Sequence, residues 1–296
     1  MISSQPPAVP DRASEQVPAC ATRSLTTLAQ AQLAHGRRQP AVALLRAALL
    51  GVDPITAPPR PDLNAAARLY AETLHAHEHG NWQSLRWARY AHQASTDVFG
   101  VYDERTVDAA RTLARVLAAY RLDDAAITLR RLIVAQLTDR DGPASPGVLA
   151  ARMDLAITQH AAGHCPAAIA GLTRTWRQWR RQYGDADLDS VAMVLQLAAM
   201  LDACGRYDEA ARRTVQAWRA YRTPVSPGGR VPARLSVEWL TTSHQRHAGL
   251  CRSTRPPSRL AGAFDPLREL VRALRPGGGA PDHPLRRART WREFLP

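Results

Sequence analysis

The sequence predicts an all-α fold: a solenoid of about five stacked antiparallel helix pairs with a capping helix after the last pair. Three observations carry that expectation. The 296 residues are 45% hydrophobic but only 6% aromatic, and such an Ala-rich chain suits closely packed helices better than a β-sandwich. A shift of 42 residues superimposes the chain on itself, aligning Gly100 with Gly142 and Gly184, Leu113 with Leu155 and Leu197, Ala114 with Ala156 and Ala198, and Ala126 with Ala168 and Ala210. Only 17 residues are Gly, so the Gly column is not a by-product of composition. Within each unit, apolar residues recur at helical spacing.

The elements follow in chain order. Residues 1–22 carry Pro6, Pro7 and Pro10 where a secretion signal needs a basic start and an apolar stretch, and they read as a disordered tail. The repeat body spans 23–250. Its first unit is marked by Leu28, Ala29, Gly36, Ala41 and Ala48; its second, around Leu74, Gly80 and Leu85, is less regular. In the fifth unit, Val191, Val194, Leu195, Ala198 and Leu201 line one helical face. Gly205 then stops that helix, and a polar restart leads to Ala210 and a second helix ending near Tyr221. Ala198 and Ala210 are small, as two closely approaching helices require. Trp82, Trp87, Trp176, Trp179 and Trp218 fall within second helices and read as structural. After the Pro- and Gly-rich stretch 223–229, residues 234–250 form the capping helix, with Leu235, Trp239 and Leu240 facing inward. Residues 251–275 are a linker and a short amphipathic basic helix opened by Asp265 and Pro266. Residues 276–296 are a flexible basic tail.

The spacing Leu197, Ala198, Gly205, Ala210, Ala217 resembles the tetratricopeptide repeat over about residues 24–221. The 42-residue period is similar to the kinesin-light-chain-type variant, whose helices are longer than those of the usual 34-residue unit. The resemblance implies a right-handed solenoid of about five repeats whose first helices line a concave groove that takes extended or helical segments. The third unit departs from the pattern, with Arg121 at the turn-Gly position and Ile133 at the late Ala position. The family's carboxylate clamp uses groove Asn and Lys; this chain has only Asn64 and Asn81 and no Lys, so that clamp is not expected.

All 39 basic residues other than His are Arg. The absence of Lys excludes a P-loop, a kinase β3 lysine and a pyridoxal Schiff base. Arg, Ala, Pro and Gly together suggest a GC-rich bacterial genome. No nucleophile elbow, zinc-protease motif or dinucleotide fingerprint is present, and the expectation is a non-catalytic protein with no cofactor. The net charge of +13 is uneven: residues 222–296 hold 14 Arg against 5 acids. That quarter points to an acidic partner, or to Arg serving as the solubilising residue. Cys20, Cys165, Cys204 and Cys251 lack any CxxC spacing and read as reduced thiols, and no apolar run reaches membrane-spanning length. A cytoplasmic location is expected.

The expected function is that of an adaptor or regulator binding a peptide or protein segment with acidic and apolar groups. Inward groove positions are Tyr70, Leu74 and His77, then Arg111 and Arg115, then Met153, Ile157 and His160, then Leu195, Ala199 and Asp202. Arg111 and Arg115 lie one helical turn apart and suit a carboxylate or phosphate; a solvated Arg pair beside the packing seam is the other reading. The alternative function is a nucleic-acid-associated regulator in which the solenoid is a sensor. There, Arg286, Arg287, Arg289 and Arg292 would track phosphates while Trp291 and Phe294 stack on bases. The same tail also has the pattern of a peptide that docks in a partner's groove or its own. No metal site is expected: His75 and His79 share a helical face but His77 points away. His160, His164, Cys165 and Cys204 are of zinc-ligand type near adjacent turns, without a zinc spacing signature.

Overall fold

A computed structural model describes residues 17–77 and 81–222. The expected capping helix, the basic helix and the basic tail, including Arg286, Arg287, Arg289, Trp291 and Arg292, lie outside the described residues. The described residues form ten helices and no strand: α1 (Ala19–Ala34), α2 (Arg38–Ala48), α3 (Pro61–His77), α4 (Trp82–Phe99), α5 (Glu104–Ala119), α6 (Asp123–Asp141), α7 (Pro146–Ala161), α8 (Cys165–Tyr183), α9 (Leu188–Ala203) and α10 (Tyr207–Arg222). The first helix begins at Ala19, inside the stretch expected to be tail. The chain divides into two compact units between Leu129 and Arg130, within α6.

In the first unit, α1 packs with α2 and α3 with α4, while α3 also touches α1 and α5. Its core is built from small residues that admit close helix approach: Ala29, Ala41, Ala48, Ala66, Ala67, Ala71 and Ala126 are essentially inaccessible. Leu45, Leu63 and Leu74 fill the space between them. In the second unit, α7 packs with α8 and α9 with α10, around Leu149, Ile157, Leu172, Met193, Leu195 and Met200. The helix α9 is buried around its whole circumference, from Asp189 to Asp202. The aligned alanines Ala156, Ala168, Ala198, Ala210 and Ala217 are all buried, as their spacing predicted. Ile133, the departure from the late Ala, is buried as well.

The Gly column has a concrete backbone role. Gly100, Gly142 and Gly184 adopt φ of +84°, +82° and +89°, a left-handed region open to glycine at little cost. Their N–H groups donate to Thr96, Thr138 and Arg180 carbonyls, closing α4, α6 and α8. Three residues later comes a capping side chain each time. Asp103 accepts from the Arg105 N–H, Ser145 from Val148, and Asp187 from both Asp189 and Ser190. A Gly stop followed at fixed distance by an Asp or Ser start is therefore the physical content of the 42-residue period. Trp87, Trp176, Trp179 and Trp218 are buried, whereas Trp82, the first residue of α4, is exposed with the Arg86 guanidinium 5.0 Å over its ring.

Candidate functional site

The expected groove residues separate by chemistry. Tyr70 and Leu74 belong to the core of the first unit, where Tyr70 meets Trp87 edge to face at 6.1 Å. Met153, Ile157, Leu195 and Ala199 belong to the core of the second. These side chains present almost no surface to solvent; their helical period serves the packing of one helix on the next. Asp202 and His160 are buried too, at the ends of α9 and α7. The side chain of His77 lies outside the described residues, as does His79.

Arg111 and Arg115 remain half-exposed on α5, one turn apart as predicted. Neither is a bare cation. Arg111 Nη1 lies 3.0 Å from Asp108 Oδ1. Arg115 Nη1 reaches across to α3, 2.9 Å from Glu72 Oε1, and the same carboxylate lies 3.4 Å from Arg68 Nη1. Arg115 Nη2 also donates to Thr112 Oγ1 at 3.4 Å. The result is a strip of three guanidinium groups and two carboxylates over two first helices, α3 and α5. Each pair sits near the surface, where an ion pair contributes at most about 1 kcal/mol and exchanges readily. Glu72 and Arg68 were not singled out from sequence. The available signal was the period itself, since Glu72 and Arg115 lie about one repeat apart and therefore on neighbouring first helices.

The second unit carries a different electrostatic surface. On α8, Arg174, Arg177, Arg180 and Arg181 are exposed and the helix contains no acid; on α10, Arg212 and Arg219 are exposed. Arg213, between them, is held below the usual arginine range by burial and by its neighbours Arg177, Arg212 and Arg180, against the pull of Glu209. Arg180 and Arg213 both lie over the Trp176 ring, at 5.0 Å and 5.1 Å. Net charge along the chain concentrates from residue 222 onward; this face carries basic character into the body.

Three of the four zinc-type residues also converge. His160, Cys165 and Cys204 bring their ligand atoms within 4.8 Å of one another. His164 is the residue preceding α8 and is not part of that group. His160 Nε2 lies 3.4 Å from Cys204 Sγ, and Cys165 Sγ lies 3.4 Å from the Gly163 carbonyl oxygen.

No family model matches the chain, and no curated protein matches it. Solved structures do. The kinesin light chain nearly identical TPR-like repeats of Podosopora anserina match with a TM-score of 0.58 at 20% identity, over 69% of this chain and 96% of that one. A single-substitution variant of that protein matches with a TM-score of 0.59, over 68% and 95% of the two chains. BtubC (BKLC) from P. vanneervenii matches with a TM-score of 0.54 at 16% identity, over 71% of this chain and 84% of that one. The shared property is the fold: helical repeats of the tetratricopeptide type in the kinesin-light-chain variant.

Proposed function

We propose that this chain, folded as tetratricopeptide-like repeats, is a non-catalytic protein-interaction scaffold that captures a peptide or protein segment on the first-helix face of its repeats. The observation that carries the reading is the charged strip on α3 and α5. Arg68, Glu72, Arg111, Arg115 and Asp108 satisfy one another through half-exposed ion pairs. A segment bearing a carboxylate can replace Glu72 or Asp108 at a guanidinium at small net cost, because the displaced acid returns to water. Arg111 and Arg115 then hold the incoming acid, and apolar side chains of the segment add contact. Repeat arrays with this fold bind in such a manner because adjacent first helices expose a continuous surface. Regulation and a cytoplasmic setting go with this reading, and the Arg-, Ala-, Pro- and Gly-rich composition supports bacterial origin.

The test is capture of interacting proteins by the full chain and by the Arg111→Ala/Arg115→Ala variant, at matched helicity by circular dichroism. A partner lost by the variant, and released from the wild-type chain when salt is raised, supports the reading. Equal capture by both proteins removes the strip from function.

A second reading is favoured by the α8 and α10 surface: a nucleic-acid-associated regulator whose basic body face and basic C-terminal segment track phosphates together. It rests on Arg213, held below the usual arginine range first by burial and then by Arg177, Arg212 and Arg180, and on the exposed guanidinium groups beside it, which gain from an anion. Arg177→Glu with Arg212→Glu, compared with deletion of residues 276–296, tests it. Both changes should lower polynucleotide affinity and flatten its dependence on salt. Binding that ignores both changes rules the reading out.

A further inference from the structure

We propose that His160, Cys165 and Cys204 form a binding site for one Zn²⁺ ion. The three residues come from three places in the second unit: the last turn of α7, the first residue of α8 and the residue that closes α9. Sequence spacing does not announce them, because His160 and Cys204 are 44 positions apart. The fold brings them together because the turns after first helices stack at one repeat interval. Their donor types, one imidazole and two thiolates, are those of structural and catalytic zinc sites.

The dimensions fit. Zinc bonds of roughly 2.3 Å to sulfur and 2.0–2.1 Å to nitrogen in a tetrahedron place N and S about 3.5 Å apart and two sulfurs about 3.8 Å apart. The observed Nε2 to Sγ separation is 3.4 Å, and no donor pair exceeds 4.8 Å. Closing the site therefore takes a side-chain adjustment of about 1 Å at most in any pair. Charge fits as well. Two thiolates and a neutral imidazole around Zn²⁺ sum to zero, which is the state a buried site tolerates. Binding releases two thiol protons to solvent and leaves the oxidation state of every atom unchanged. His160 and Cys165 are buried, while Cys204 is half-buried and is the side from which the ion and a fourth-position water would enter.

The ion would tie the α7–α8 turn to the end of α9, and this makes the proposal independent of the charged strip in the first unit. The experiment uses the full chain, reduced and stripped of metal, titrated with Zn²⁺ against a chromophoric chelator and with Co²⁺ as a spectroscopic probe. The expected result is one equivalent per chain with thiolate-to-cobalt charge-transfer absorption in the near ultraviolet. Zn²⁺ should also shield Cys165 and Cys204 from alkylation while Cys20, which is exposed, stays reactive. Cys165→Ser with Cys204→Ser should abolish uptake, and His160→Gln should lower affinity at least roughly tenfold. The alkylation pattern needs no variant and stands even if the serine variant misfolds. No uptake by the reduced wild-type chain, uptake undiminished in the double-serine variant, or alkylation of Cys165 and Cys204 unaffected by Zn²⁺ would each overturn the proposal. An air-stable Cys165–Cys204 disulfide that persists under excess Zn²⁺ and thiol would overturn it too, in favour of a redox cross-link.

Discussion

Arg121 is the one non-glycine with positive φ among the described residues, at +59°, and it stands where the repeat pattern calls for glycine. A side chain there costs about 1–2 kcal/mol of backbone strain, offset in part by the entropy that glycine loses on folding. Its ion pair with Asp123, at 3.0 Å, is partly exposed and adds little. Arg121→Gly should therefore stabilise the chain by about 0.5 kcal/mol in urea unfolding; a loss of stability would show that the Arg side chain contributes more than its geometry suggests. Tyr90 offers a second single-residue test. Its hydroxyl donates to the Pro58 carbonyl at 2.9 Å, and burial pushes its pKa up to about 12 despite the nearby Arg60. A phenol raised from 10 to about 12 favours the folded state while neutral. Its contribution is complete below pH 10 and is lost as pH rises through 12. Tyr90→Phe should flatten the alkaline fall in stability across that window while costing about 1 kcal/mol at neutral pH for the hydrogen bond.

At the scale of the helix, the legible features were those with a local cause. Glycine at the end of α4, α6 and α8, and Asp103, Ser145 and Asp187 at the following starts, act on their own backbone and so repeat in the sequence at a fixed distance. What was not legible depends on which face of a helix its neighbours cover. Met153, Ile157 and Leu195 share a face with groove positions in the pattern, yet each is enclosed by adjoining helices. Cross-helix polar pairs were equally hidden. Arg130 on α6 is buried and bonds Asp154 on α7 at 2.7 Å. Removing the carboxylate takes a charged partner from a buried cation, so Asp154→Ala should cost about 2–3 kcal/mol, more than Arg130→Met, which removes the charge and keeps the packing. Denaturant midpoints of the two variants decide it; equal losses would mean that Arg130 is stabilised by other groups.

For the molecule as a whole, the repeat period was visible in the sequence because the chain turns in the same way after α4, α6 and α8, and the comparison structures share that fold. The site was visible only in part. Arg111 and Arg115 were readable as an i,i+4 pair, but their acidic partners were not, since Glu72 meets Arg115 only after α3 and α5 pack. The basic surface of α8 and α10 is invisible to net charge over a long stretch, which averages out helices of opposite character.

The burial of α9 from Asp189 to Asp202 sets a clock for the second unit. A helix wrapped on every side cannot trade its amide hydrogens with solvent by fraying. In deuterium those amides should be the slowest of the chain to exchange, at a rate set by the opening of the whole unit. Residues of α1, which buries only Thr22, Thr26 and Ala29, should exchange early. Anything that binds the second unit in its folded form lowers the open population in proportion to its occupancy. The amides of α9 are thus an internal gauge, able to register a ligand without contact and to return its dissociation constant from a shift in exchange rate alone.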